Sequence, residues 1–429
     1  MLRRVVLPLA LGLTIPPTPA HAHDPRAWGG LFRSRDGGLS WFPANPGRIV
    51  SGALALTVDP EDPAHLLLGT DSGLLRSRNG GLDWTVEAPG MLVGPVFAVA
   101  LDVSSRRVFA ATTTRLFQEA DGGRWEAVSL PTGAAPVRLL ASVAPGHLLL
   151  AGMGGLFGSD DGARTWTDLG ARLPDGGRDA DGAFAPRTPV GSDPRPGALG
   201  VTAIVPAPGK PREIYVVVVD GRIFATEDDG TTWRARSGGL SEQVDALAVE
   251  PDPGRHLWLL AGGRIHRSRD QGATWAAVGQ PLPDSGAVAR GLVVGTDGRA
   301  VTVATDRGLY RSEDSGATWD LLGDNLPAHL EAGLLLRDPH DPQTLYAGFA
   351  LTPYGELWRQ AVEGGVPLAR VGVWGWVGAA AVLALLTGGA GLGLRRLARH
   401  AAARPGRTRR AATQPDAGTA GRLAPRERP

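Results

Sequence analysis

The sequence predicts an all-β chain: a seven-bladed β-propeller of four-stranded antiparallel blades, followed by one C-terminal transmembrane helix. Three observations carry this. An octet of the form Ser/Thr-x-Asp-x-Gly-x-Thr-Trp recurs along the chain in seven copies, which together use seven of its twelve tryptophans. The copies return every forty-odd residues with several short apolar runs between them, the spacing of propeller blades. Residues 371–394 form an apolar run of 24 residues without a charge, long enough to cross a bilayer.

The octets are turns. Residues 268–275 and 312–319 match at every defined position, and 226–233 has Thr in the first place. Ser40 replaces Thr in the first copy and Ala163 replaces Gly in the fourth; Asn79 and Asp83 replace Asp and Thr in the second. The third, 121–125, has lost a residue. Each copy joins two short apolar runs, so it reads as a hairpin connection. Asp and Ser/Thr accept hydrogen bonds from turn amides. Gly supplies one position of positive φ, and Trp opens the outgoing strand with a large surface to pack over the turn. Turn chemistry accounts for every fixed position, so Asp36, Trp41, Asn79, Trp84, Asp121, Trp125, Asp161, Trp166, Asp228, Trp233, Asp270, Trp275, Asp314 and Trp319 are assigned a structural role and no catalytic one.

The Asp positions, with Asn79 in the second copy, are separated by 43, 42, 40, 67, 42 and 44 residues. With this spacing and these motifs, the stretch 29–360 resembles the BNR/Asp-box repeat family, which includes sialidases, sortilin-type receptors, xyloglucanase-type glycosidases and photosystem II assembly factors. The resemblance implies the propeller fold. It does not choose among these activities, because the box is shared by all of them.

In chain order, residues 1–22 read as a secretory signal: Arg3 and Arg4, an apolar core, and Ala20-His21-Ala22 as the cleavage site. The propeller is expected over 23–360. Its first fragment, to Asn45, supplies one strand, a box and a second strand. Residues 54–58, 66–69, 74–76 and 84–86 then make a complete blade, and the order recurs through the seventh box. Beyond Trp319, residues 333–337 and 345–348 begin a blade that has no box. The two terminal fragments are therefore expected to complete one blade between them, which removes open sheet edges. Residues 356–359 read as a surplus strand. The 67-residue interval holds an insertion over 168–200, rich in Gly, Pro, Asp and Arg and expected to be an irregular loop. A linker at 361–370 leads to the span at 371–394, and 395–429 is a basic tail expected to be disordered.

Charge divides with this layout. The tail carries ten arginines against Asp416 and Glu427, whereas 23–394 carries 32 basic and 41 acidic groups. The positive-inside rule puts the tail in the cytoplasm and the propeller on the extracytoplasmic, periplasmic side of the inner membrane, as a single-pass protein. An acidic propeller argues against nucleic-acid binding. With no cysteine in the chain, disulfides, thiolate metal sites and thiol chemistry are excluded. No metal site or cofactor is assigned, since the histidines are scattered and His23 alone offers no ligand set.

Loops between second and third strands should open on the face opposite the boxes. They place Asp71, Arg115, Asp220, Arg222, Arg264, Asp306, Arg307, Tyr354 and Glu356 on a candidate ligand face. Sialidases of the resembling family use three arginines, a Tyr–Glu pair and an Asp. Here the Phe/Tyr-Arg-Ile-Pro pattern of the first arginine is missing, and Tyr215, Tyr310 and Tyr346 fall inside strands. The reading favoured is a membrane-tethered module that binds a protein or peptide, or serves assembly of a membrane complex. The alternative is an extracytoplasmic glycoside hydrolase, which requires two carboxylates about 5–10 Å apart on the open face.

Overall fold

The computed structural model describes residues 29–152, 154–174, 200–240, 242–251, 256–327 and 329–363. The signal, most of the insertion, the apolar span and the tail lie outside these residues. Among those described, no helix is long and apolar enough to cross a membrane.

Seven four-stranded antiparallel sheets are present. Blade 1 is β3 (Ala53–Asp59), β4 (Asp62–Thr70), β5 (Gly73–Ser77) and β6 (Thr85–Glu87). Blade 2 is β7 (Ala98–Asp102), β8 (Arg107–Ala111), β9 (Leu116–Ala120) and β10 (Arg124–Val128). Blade 3 is β11 (Val137–Ala144), β12 (His147–Gly152), β13 (Gly155–Ser159) and β14 (Thr167–Asp168). Blade 4 is β15 (Val201–Ala207), β16 (Lys210–Val218), β17 (Ile223–Thr226) and β18 (Arg234–Ala235). Blade 5 is β19 (Val244–Val249), β20 (Leu257–Ala261), β21 (Arg264–Ser268) and β22 (Ala276–Val278). Blade 6 is β23 (Ala289–Val294), β24 (Val301–Thr305), β25 (Gly308–Ser312) and β26 (Asp320–Leu321). Blade 7 has the order β2 (Phe42–Pro43), β1 (Gly30–Ser34), β28 (Leu345–Ala350), β27 (Glu331–Arg337). The N-terminal strand β1 thus pairs antiparallel with β28, Gly30 opposite Phe349 and Ser34 opposite Leu345. The shared blade expected from the sequence is present.

The first strand of each blade touches the first strand of the next, and β27 touches β3, so the ring is closed. The core lies between blades rather than within them. One cluster joins Leu149 and Ala151 of β12 to Ile214, Val216 and Val218 of β16; another joins Leu66 and Leu68 of β4 to Tyr346 of β28. Second strands are apolar on both faces because a neighbouring blade covers each, so β12 and β20 are buried along their whole length. Polar stitches cross the same gaps. Buried Arg76 of blade 1 pairs with Glu119 of blade 2 at 2.6 Å.

The boxes close the third-to-fourth-strand hairpins. In the seventh, Asp314 Oδ1 accepts the Ser312 hydroxyl at 2.8 Å and the Thr318 amide at 2.8 Å, and Oδ2 accepts the Thr318 hydroxyl at 2.7 Å. Ser312 Oγ accepts the Gly316 amide at 2.7 Å. In the second box the partners exchange character: the Asn79 side-chain amide donates to the Asp83 carboxylate at 2.8 Å, so the same link forms with donor and acceptor reversed. Positive φ is needed at two successive positions, not one: Ser315 is at +59° and Gly316 at +89°, Gln271 at +60° and Gly272 at +85°. Ala163, at +67°, takes up the left-handed conformation that Gly provides elsewhere.

The Trp rings bridge blades. The Nε1–H of Trp84 reaches the Ala44 carbonyl (2.9 Å), Trp166 that of Ser129 (3.2 Å), Trp275 that of Arg236 (2.7 Å) and Trp319 that of Gln280 (3.1 Å). Each acceptor belongs to the preceding blade or the segment that leaves it. Trp125 donates instead to the Glu87 carboxylate, and Trp41 to Gly38 of its own turn.

Two expectations are corrected. Residues 356–359 are not a strand. They belong to an α-helix, α1 (Tyr354–Val362), whose apolar residues Tyr354, Leu357, Trp358 and Ala361 follow a helical spacing. No edge of β28 remains for a surplus strand, because β27 and β1 occupy its two sides. The expected insertion also begins too early: Thr167–Asp168 is β14, and a single 3-10 turn, Gly170–Arg172, lies between Leu169 and Leu173, which pack into the blade 3–4 core.

Candidate functional site

The candidate site is the mouth of the central channel on the face opposite the boxes. There the inner strands begin, and six of the seven begin irregularly. The pairing with the second strand slips by one residue at Leu54, Arg138, Thr202, Asp245, Arg290 and Gly333. Blade 2 pairs without a slip, and Phe97 stands at the matching place just ahead of β7. A β-bulge leaves one residue outside the ladder and re-aims its side chain. Repeated round a ring, it sets Leu54, Phe97, Arg138, Thr202, Asp245 and Arg290 about one opening.

Helix α1 lies on part of that ring. Leu357 packs with Leu54 and Phe97, and the Phe97 ring meets Tyr354 and Trp358 edge-on at 5.4 and 5.0 Å. The Arg138 guanidinium stands over both helix aromatics, 5.6 Å from the Tyr354 centroid and 6.0 Å from that of Trp358. Glu331, buried at the start of β27, accepts the Tyr354 amide at 2.8 Å and thereby caps the helix N-terminus, where a negative charge is favoured. Its other oxygen accepts Arg290 Nε at 2.7 Å. Thr113 donates to the Ala361 carbonyl at the far end. Burial pushes the Tyr354 hydroxyl pKa up, with Arg138 opposing.

The helix covers the ring at blades 7, 1, 2 and 3. At blades 4, 5 and 6 the bulged residues are Thr202, Asp245 and Arg290. Asp245 is exposed on one side and has no hydrogen bond or ion pair to any described residue. Protein on its other sides pushes its pKa up to about 6, against the pull of Arg290.

The residues expected on the ligand face are mostly engaged locally. Asp71 accepts the Ser51 hydroxyl at 2.6 Å. Asp220 pairs with Arg222 at 2.7 Å, and Arg222 also lies over Phe224. Asp306 accepts the Val288 amide, and Arg307 lies 3.7 Å from Asp284. Arg115 follows β8 in a turn tied to Thr112, and Arg264 opens β21. Glu356 pairs with Arg359 and Gln360 on α1, whereas Tyr354 turns inward. Of the nine, only Tyr354 joins the contacts at the mouth. The ring residues Arg138, Asp245, Arg290 and Glu331 were not singled out. The first three carry a signal that Thr202 shares, a polar residue at the second place of an inner strand: Val137-Arg138, Val201-Thr202, Val244-Asp245, Ala289-Arg290; Glu331 instead opens β27.

On the box face, a cleft between blades 7 and 1 is lined by Arg33, Arg35, Asn79, Asp338 and His340. Its polar groups hold blades together: Arg33 donates to the Gly80 carbonyl at 2.7 Å, and His340 meets the Asp59 carbonyl at 2.8 Å. Among the described residues no group of three His, Cys, Asp or Glu side chains could hold a metal ion.

No family model and no curated protein matches the chain. Solved structures do. YCF48 bound to D1 peptide aligns with a TM-score of 0.50 at 17% identity over 71% of this chain and 94% of that one. YCF48 from Cyanidioschyzon merolae aligns at 0.52 and 16% identity over 70% and 96%. The GH74 xyloglucanase from Xanthomonas campestris aligns at 0.53 and 21% identity over 70% of this chain but only 51% of its own. At these identities the likeness is one of fold: the chain is a seven-bladed β-propeller whose third-to-fourth-strand turns are closed by the box hydrogen bonds.

Proposed function

We propose that the propeller is a peptide- or protein-binding module held on the extracytoplasmic side of a membrane by the apolar run at 371–394. The observation that carries this is α1: the channel mouth holds a helical segment by edge-on aromatic contact, cation–π contact and a carboxylate cap. A surface that grips a segment of its own chain in this way has the chemistry to grip one from a partner, and a rigid ring keeps its loops in place for recognition. YCF48 bound to D1 peptide is a propeller of the same fold with a peptide ligand, which supports the reading.

The hydrolase alternative needs two free carboxylates facing a substrate. Glu331 is buried and occupied by Arg290 and the α1 amide, which leaves Asp245 as the one unengaged carboxylate among the described residues of the ring. The test is direct. The purified full chain in detergent is offered randomised peptide pools and a panel of aryl glycosides. Peptide retention without glycoside turnover is expected. Turnover that disappears on Asp245→Asn would replace the binding reading with the hydrolytic one.

A further inference from the structure

We propose that the open part of the channel mouth, over blades 4 to 6, receives a basic side chain of the bound peptide, with Asp245 as its counter-charge. This rests on the peptide-binding reading and adds the chemistry of the anchor residue.

Four observations converge. First, Asp245 is a bulged residue equivalent in register to Leu54 and Arg138, both of which reach the occupant of the mouth, and to Phe97 beside them. Its side chain is therefore aimed at the same opening. Second, among the described residues the ring is occupied unequally: α1 covers blades 7 and 1 to 3, and Asp245 of blade 5 lies beyond its contacts and exposed. Third, the charge there is unbalanced. Arg290 is neutralised by Glu331, and Arg138 lies against the aromatic faces of α1. The Asp245 carboxylate remains without a cationic partner in contact. Fourth, Asp245 is exposed to solvent, so a ligand can reach it.

A carboxylate partly enclosed by protein gains most from an ammonium or guanidinium that brings its own charge and hydrogen-bond donors. An acidic ligand would meet Asp245 directly and would have to displace Glu331 from Arg290. A neutral one would leave the carboxylate's acceptors unfilled at the cost of its water. The covered half already shows the matching arrangement with signs reversed in origin: there the ring supplies the guanidinium and the bound segment the aromatic faces.

The experiment uses the immobilised full chain in detergent. Capped nonapeptide pools carry a fixed central Lys, Arg, Glu or Ala with randomised flanks. The Lys and Arg pools should be retained on the order of tenfold better than the Ala pool, and the Glu pool least, as for a charge-assisted hydrogen bond. Asp245→Asn should erase that preference while leaving the circular dichroism spectrum unchanged. Asp245→Glu should restore most of it, and the rim variant Asp306→Asn should not alter it. Retention that ignores the central residue, or a preference that survives Asp245→Asn, overturns the inference and leaves the peptide-binding reading standing. A Glu-pool preference assigns the anchor to an arginine and overturns it likewise. Retention of no pool removes both.

Discussion

The tryptophan bridges can be tested most sharply at Trp84. Its ring is 4% exposed, lies in the cluster shared by blades 7 and 1, and donates Nε1–H to the Ala44 carbonyl of blade 7's outgoing segment. Truncation to Ala removes most of a buried aromatic, about 3–5 kcal/mol in a packed core. It also strands a buried acceptor, about 1 kcal/mol more. A domain of roughly 330 residues unfolds with an entropy near 0.7 kcal/mol/K, so a loss of about 4 kcal/mol lowers the melting midpoint by about 6 °C. Trp84→Phe keeps most of the apolar area and loses only the donor, about 1–2 kcal/mol, or about 2 °C. Trp166→Ala, whose ring is only half-buried, should fall between them, near 3 °C. The assay is a thermal melt followed by circular dichroism. A Trp84→Ala midpoint within a degree of wild type would show that the ring is not packed between blades. Equal losses for Trp84→Phe and Trp84→Ala would show that the hydrogen bond, not burial, carries the bridge.

Trp275 is also only half-buried, so Trp275→Ala should cost about 2 kcal/mol rather than the 3–5 of a fully enclosed ring, again read from the melt. The Thr274 hydroxyl and amide hold Asp270, and the Thr318 amide and hydroxyl hold Asp314, at pKa values of about 2. A carboxyl depressed below its unfolded value stabilises the fold above about pH 4 and loses that contribution as pH falls toward 2. An acid titration should therefore show stability declining across that window, and a double variant, Asp270→Asn with Asp314→Asn, should flatten the slope. Asp245 has the opposite sign: its raised pKa means that its ionisation on going from about pH 4 to above pH 6 weakens the fold. Asp245→Asn should gain about 1 kcal/mol at pH 8, the figure reduced for solvent in the channel, and nothing at pH 4. A gain at pH 4 would mean that the carboxylate is not the cause.

The fold was legible because its information is local and repeated. A box fixes a hairpin by hydrogen bonds within eight residues, and seven copies at one period fix a ring. The missing strands at one end and the missing box at the other announced the shared blade. What was not legible depends on contacts between distant segments. Residues 356–359 hold Leu357 and Trp358, which suit a strand as well as a helix. Only the absence of a free edge on β28, and the partners that Phe97 and Arg138 offer the helix aromatics, decide for the helix. The site was misread for a related reason. The rim residues stand in turn sequences that look like recognition loops, but Asp220 and Arg222 answer one another, as do Asp306 and the Val288 amide. The mouth residues sit within apolar runs, where one added residue in the ladder turns a side chain that period two would send toward a neighbouring blade.

Blade 7 carries a consequence for biosynthesis. Its inner pair, β27 and β28, leaves the ribosome about 300 residues after β1, which must lie beside β28. At 5–20 residues per second the opening hairpin waits roughly 15–60 s for its partner, with Phe32 and Trp41 lacking the core that finally encloses them. Blades 1 to 6 can form in order during that interval, but they remain an open arc whose end blades lack the apolar cover of blade 7, and β1 lacks its partner strand. Translation arrested before β28 would therefore yield a species prone to self-association, whereas completion joins the oldest and newest parts of the polypeptide in a single clasp.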